Sequence, residues 1–160
     1  GLRSGSVVVV AESQPIGTAF RWMNPVGAGD MDGDGRLEVL AVRTPHIGGT
    51  LEMYRLEGRR LRLAERFHGV SNHRYGSAEQ RLSVIVDADG DKRDEVIVPT
   101  TDMDQLLHLD WSEQGWIVRH RLPLVDDLKG PILVDDVNGD GQSELIVLGD
   151  KLLTVYRYRQ

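Results

Sequence analysis

At 160 residues the chain is long enough to bury one substantial core, and its 40% hydrophobic content is ordinary for a globular protein. Lysine and arginine number 19 against 25 aspartates and glutamates, a formal net charge of −6 and the wrong sign for gripping a phosphate backbone, so nucleic acid is excluded as the expected partner. The absence of cysteine excludes disulfides, thiolate zinc sites and cysteine catalysis, and no apolar run approaches the ~20 residues that a membrane-crossing helix needs, so no membrane insertion is expected.

In chain order, the valine run at 7–10, punctuated by Gly5 and Pro15, predicts a buried strand. Residues 15–29 predict a strand or two leading into an acidic loop, so 1–29 carry the N-terminal strands. After the loop DMDGDGRLE (30–38), LEVLAVR (37–43) reads as strand, 44–49 as turn, and TLEMYRLE (50–57) alternates as a half-buried strand does. Gly58 and Arg59 turn the chain into RLRLAERF (60–67), and the polar, aperiodic stretch 69–80 reads as an irregular connection. RLSVIVD (81–87) then leads into a second loop, DADGDKRDE (87–95), followed by the apolar segments EVIVPT, QLLHLDW and WIVRHRL. GPILVDD precedes a third loop, DVNGDGQSE (136–144), after which ELIVLG and KLLTVYRYRQ leave the last set one strand short. The expected class is all-β, in meanders of antiparallel strands.

The three loops begin at Asp30, Asp87 and Asp136, 57 and 49 residues apart. Each puts an oxygen-bearing side chain at positions 1, 3, 5 and 9: Asp30, Asp32, Asp34 and Glu38; Asp87, Asp89, Asp91 and Glu95; Asp136, Asn138, Asp140 and Glu144. Alternate side chains of a curling segment converge on a point, and converging carboxylates repel unless a cation lies among them. A hard dication with oxygen ligands, calcium before magnesium, is the expected occupant, with the backbone carbonyls of Arg36, Arg93 and Gln142 at position 7 completing the sets. Up to three such ions would add six positive charges and cancel the formal charge of −6. An EF-hand would close with glutamate at position 12, where this chain has Ala41, Val98 and Val147, and its loop would lie between helices. One copy alone could be an acidic β-turn, with Asp and Gly as turn formers; three in register argue for a cation site.

A DxDGDGxxE loop followed at once by a strand and repeated at these intervals resembles the FG-GAP/VCBS repeat family, which includes the integrin-type β-propellers. The resemblance covers the three loops with their flanking strands and implies a calcium loop between the first two strands of each four-stranded propeller blade. The implied blades span about 22–70, 80–123 and 130–160. Three blades do not close a propeller, for which four is the usual minimum. The chain is then expected to be a piece of a longer propeller or half of a homo-oligomeric ring, with two copies giving six blades.

Among the loops, 30–38 is expected to bind most tightly, with four carboxylates and Gly35 at the bend. Loop 136–144 has the neutral Asn138, and loop 87–95, where Lys92 replaces the bend glycine, is expected to be weakest. The five histidines, His46, His68, His73, His108 and His120, form no metal-binding spacing, and no nucleophile elbow or phosphate loop is present. Arg55, Arg59, Arg60, Arg62 and Arg66 fall on one hairpin, where they would guard a sheet edge or meet an acidic polysaccharide. Trp22, Trp111 and Trp116 are expected to pack between sheets.

The leading functional expectation is a non-enzymatic module for binding or adhesion, held by structural calcium and taking a protein or carbohydrate ligand. Weak calcium affinities suit an extracellular or periplasmic setting, any export signal lying outside this stretch. The alternatives are the scaffold of a lyase or hydrolase acting on polysaccharide, and a structural repeat joining larger proteins.

Overall fold

The computed structural model describes residues 6–157, and among these there is no helix. Eleven strands form three antiparallel sheets. The first contains β1 (Met23–Gly29), β2 (Glu38–Arg43), β3 (Thr50–Glu57) and β4 (Arg60–His68), hydrogen-bonded in that order. The second contains β5 (Val84–Val86), β6 (Glu95–Pro99), β7 (Gln105–Ser112) and β8 (Gly115–Pro123), again in chain order. Among the described residues the third has β9 (Leu128–Asp135), β10 (Glu144–Gly149) and β11 (Leu153–Tyr156).

Residue type places the strands. β1 carries Pro25, which cannot donate to a ladder, and lies at a sheet edge with its register shifted between Pro25 and Gly27. β4 alternates exposed and half-buried residues along its whole length, as a strand with one face to solvent does. β6, EVIVP, is buried throughout, because both faces of the middle sheet are covered. Its Val96 and Val98, with Leu107 and Leu109 of β7, join Leu40, Val42, Leu51 and Met53 of the first sheet in one core. On the other face Ile97 and Leu106 join Leu128, Ile132, Leu145 and Val147 in a second core. Neighbouring sheets meet through their first strands, β1 against β5 and β5 against β9, and β4 also reaches β8.

The expected strand at 7–10 does not form. These four valines lie outside any strand and are 61–93% exposed. Valine favours strands only where a neighbour completes the ladder and a face is buried. Here the segment meets the first sheet by one β-bridge, Glu12 to Arg60, with Leu61 N donating to Glu12 O at 2.9 Å, and by arginine contacts such as Arg59 Nη2 to Val9 O at 3.5 Å. Of 15–29 only β1 is strand, and the lead-in at 81–87 shortens to β5.

The irregular connection at 69–80 is partly interior, with Val70, Ser71, Asn72 and His73 buried. Buried backbone of this kind must find partners. Ser71 N donates to Pro99 O, Thr101 N to Gly69 O, and Asn72 Nδ2 to Asn24 O, so the connection fastens the first sheet to the second.

Candidate metal centres

All three acidic loops join the first two strands of a sheet, and all three adopt one hydrogen-bonded shape. The position-1 aspartate accepts the amide of position 4 on Oδ1 and that of position 6 on Oδ2. In loop 30–38 these are Gly33 N and Gly35 N on Asp30, at 2.8 and 2.9 Å. In loop 87–95 Gly90 N and Lys92 N bind Asp87 in the same way, as do Gly139 N and Gly141 N on Asp136 in loop 136–144. Position 3 accepts the position-5 amide, through Asp32, Asp89 and Asn138. Position 5 accepts the position-7 amide, with Arg36, Arg93 and Gln142 donating to Asp34, Asp91 and Asp140. The ninth-position glutamates, 1–2% exposed, each accept the position-2 amide on Oε2, from Met31, Ala88 and Val137.

This shape fixes the backbone. Gly35 and Gly141 have φ of 82° and 83°, and Lys92 reaches the same left-handed region at 72°. A side chain there costs about 1 kcal/mol. Lys92→Gly is expected to raise the free energy of unfolding by roughly that amount, measured by urea titration, with no change in the spectroscopic signature of the native state.

In loops 30–38 and 87–95 the amides occupy one oxygen of each position-3, 5 and 9 carboxylate. In loop 87–95 Asp87, Asp89, Asp91 and Glu95 bring one oxygen each within 4.8 Å of all the others. In loop 30–38 Asp30, Asp32 and Glu38 do so, without Asp34. Loop 136–144 forms no such group among the described residues. Its Asn138 donates Nδ2 to Glu144 Oε1 at 2.6 Å, turning an N–H where the other loops have a carboxylate oxygen.

An arginine pairs with at least one acid of each loop. Arg55 of β3 donates from Nη2 to Asp32 Oδ2 at 2.5 Å and from Nε to Glu38 Oε1 at 3.2 Å. Arg157 pairs with Asp140, and its Nε lies 3.7 Å from Glu144 Oε1. Arg93 grips Asp91 Oδ2 from Nε and Nη2. Burial works to raise the Asp91 pKa, but the side-chain and backbone bonds from Arg93 outweigh it and hold the carboxyl below its ordinary range. In the first two loops the clustered side-chain donors are all carboxylates, which fits a hard dication. Two acidic clusters, one in each of the first two loops, could therefore hold a metal ion.

The other sequence candidates disperse. Arg55 enters the first loop, Arg66 pairs with the buried Glu52 and Arg62 with Glu57, while Arg60, Arg62 and Arg66 are all exposed on β4, the edge strand of the sheet. Glu52 also accepts the Tyr54 hydroxyl, and burial together with that bond pushes the Tyr54 pKa well above its ordinary value. Trp111 and Trp116 pack against the core between the first two sheets, while Trp22 sits edge-on to His46 and His73. His108 and His120 face each other across β7 and β8.

Three residues at the loops carry no role in the sequence reading. Asp94, at position 8 of the second loop, accepts Asp30 N on Oδ2 at 2.8 Å, and its own amide donates to Asp30 O at 2.9 Å. Arg157 and Asp110 reach their loops from the neighbouring strand or just beyond it. Their distances from the loops along the chain differ, and it is strand register that puts Arg55, Asp110 and Arg157 at one position. Comparison with family models, curated proteins and solved structures finds no match to this chain.

Proposed function

We propose that the chain is a run of calcium-binding repeats of the FG-GAP/VCBS kind, its sheets serving as propeller blades in a non-enzymatic binding or adhesion module outside the cytoplasm. The observation that carries this reading is the recurrence of five loop hydrogen bonds at the same positions in all three loops. Repetition of that pattern without the same sequence at positions 2 and 8 argues for a shared ligand. The meeting of sheets through β1, β5 and β9 supports a blade-like arrangement about their first strands. Calcium is preferred over magnesium because irregular sets of side-chain and carbonyl oxygens suit its larger, more tolerant shell. The ion's role is structural: it neutralises carboxylates that the loop amides have already gathered, and the ligand sets are closed by the buried glutamates.

Titration calorimetry tests the reading. Calcium is expected to bind saturably at up to three sites, and magnesium at equal concentration to compete poorly. Absence of binding at millimolar calcium, or equal affinity for the two ions, would remove it.

A further inference from the structure

Each loop glutamate has one residue opposite it on the next strand or one step past its end. Continuing the register from Val39 and Tyr54 sets Glu38 against Arg55, and continuing it from Leu145 and Tyr156 sets Glu144 against Arg157. In the middle sheet the same step from Val96 and Leu109 sets Glu95 against Asp110. Two loops thus receive a guanidinium at this position, and the third receives a carboxylate.

The consequences are visible in the pairing. Arg55 bridges the position-3 and position-9 carboxylates of its loop, and Arg157 pairs with position 5 and approaches position 9. In loop 87–95 Arg93 binds Asp91 and lies 3.7 Å from Asp110, His108 Nε2 lies 3.8 Å from Glu95 Oε2, and among the described residues no arginine pairs with Asp89 or Glu95. Asp110 is itself 3% exposed and bound to Arg119; its buried Oδ1 has no hydrogen bond, lying 3.7 Å from Arg93 Nη1. That loop therefore gathers four mutually close carboxylate oxygens, and the position opposite its glutamate holds an acid where the other two loops have a guanidinium.

We propose, resting on the reading of the loops as calcium sites, that Arg55 and Arg157 are built-in counter-cations which the metal must displace. Loop 87–95 then fills first, and loops 30–38 and 136–144 fill only as their arginines withdraw, the reverse of the ranking that the loop sequences suggest. For Arg55 a resting place is at hand, since its guanidinium already lies 5.2 Å from the centre of the Trp111 ring. A unit charge about 4 Å from the ion, in surroundings between water and a protein surface, changes affinity by about tenfold or more.

The test follows the amide resonances of Gly33, Gly90 and Gly139 by NMR while calcium chloride is added to the full chain. In the wild type Gly90 is expected to reach its midpoint at the lowest calcium concentration. Arg55→Gln is expected to lower the Gly33 midpoint about tenfold without moving that of Gly90, and Arg157→Gln to do the same for Gly139. Arg55→Lys keeps a cation but loses the forked grip on Asp32 and Glu38, and is expected to lower the Gly33 midpoint by less than Arg55→Gln does. The proposal is overturned, with the calcium reading intact, if Gly33 fills before Gly90, if both glutamine variants leave their midpoints unchanged or raised, or if Arg55→Lys matches Arg55→Gln. If no amide responds to calcium in any variant, the proposal and the calcium reading fall together.

Discussion

Asp89→Asn is expected to lower the melting temperature by roughly 5–10 °C in calcium at a hundred times its dissociation constant, and to leave it unchanged or slightly raised in chelator. The substitution is chosen because the loop already tolerates it: Asn138 occupies the same position in loop 136–144 and accepts the same amide, from Asp140, at 2.9 Å. Asp89 accepts Asp91 N at 3.1 Å on Oδ1, and an asparagine oxygen can take over that bond. What the change removes is one negative charge from a group of four carboxylates whose oxygens lie within 4.8 Å of one another. With an ion present that charge is a ligand, and an ion that binds only the folded chain stabilises it by about 2.7 kcal/mol at a hundred times its dissociation constant. Without the ion the same charge repels its neighbours, so its loss is harmless or favourable. Scanning calorimetry in the two buffers reads the difference directly. Equal losses in calcium and in chelator would mean that the cluster serves only as a turn.

Gly49→Ala is expected to be costlier still, lowering the free energy of unfolding by about 3 kcal/mol or more in either buffer, without rescue by calcium. The turn between β2 and β3 lies at the opposite end of the first sheet from the acidic loop. There Gly49 O accepts Gly69 N at 3.0 Å and Val70 N at 3.3 Å, and a Cβ on Gly49 would lie 1.8 Å from Val70 O. No rotamer change relieves a clash between a Cβ and a backbone oxygen, so the 69–72 segment must move. That segment also holds the second sheet, through the bridge from Val70 to Thr100 and the bond from Ser71 N to Pro99 O. A shift in the urea midpoint corresponding to less than 1 kcal/mol would show that the connection yields more easily than its burial implies.

The strands that follow the acidic loops are legible in the sequence because two local signals agree there: an Asp and Gly rich bend, then a short β-branched run. Glu38, Glu95 and Glu144 each stand at the join and open β2, β6 and β10. The valine run at 7–10 has the second signal alone, and a strand needs a neighbour, which is a property of the fold and not of the segment. At the loops, residue types and spacing reveal which acids gather, whereas the arginines that enter them are set by strand register. Arg55 is 17 residues from Glu38 and Arg157 is 13 from Glu144, so no fixed spacing marks the pairing. A hairpin dense in arginine reads as a basic surface until cross-strand partners are known. Then Arg55, Arg62 and Arg66 prove to be engaged by Asp32 and Glu38, by Glu57 and by Glu52.

Asp94 belongs to the second repeat by position, yet both its amide and its carboxylate close the backbone of Asp30 in the first. The boundaries drawn along the chain therefore differ from the boundaries at which the molecule can be cut. A truncation ending before residue 94 would keep every acid of the opening loop and still strip that loop of its brace. Anyone transplanting the first repeat into another scaffold would have to carry along the first eight residues of the loop that follows it.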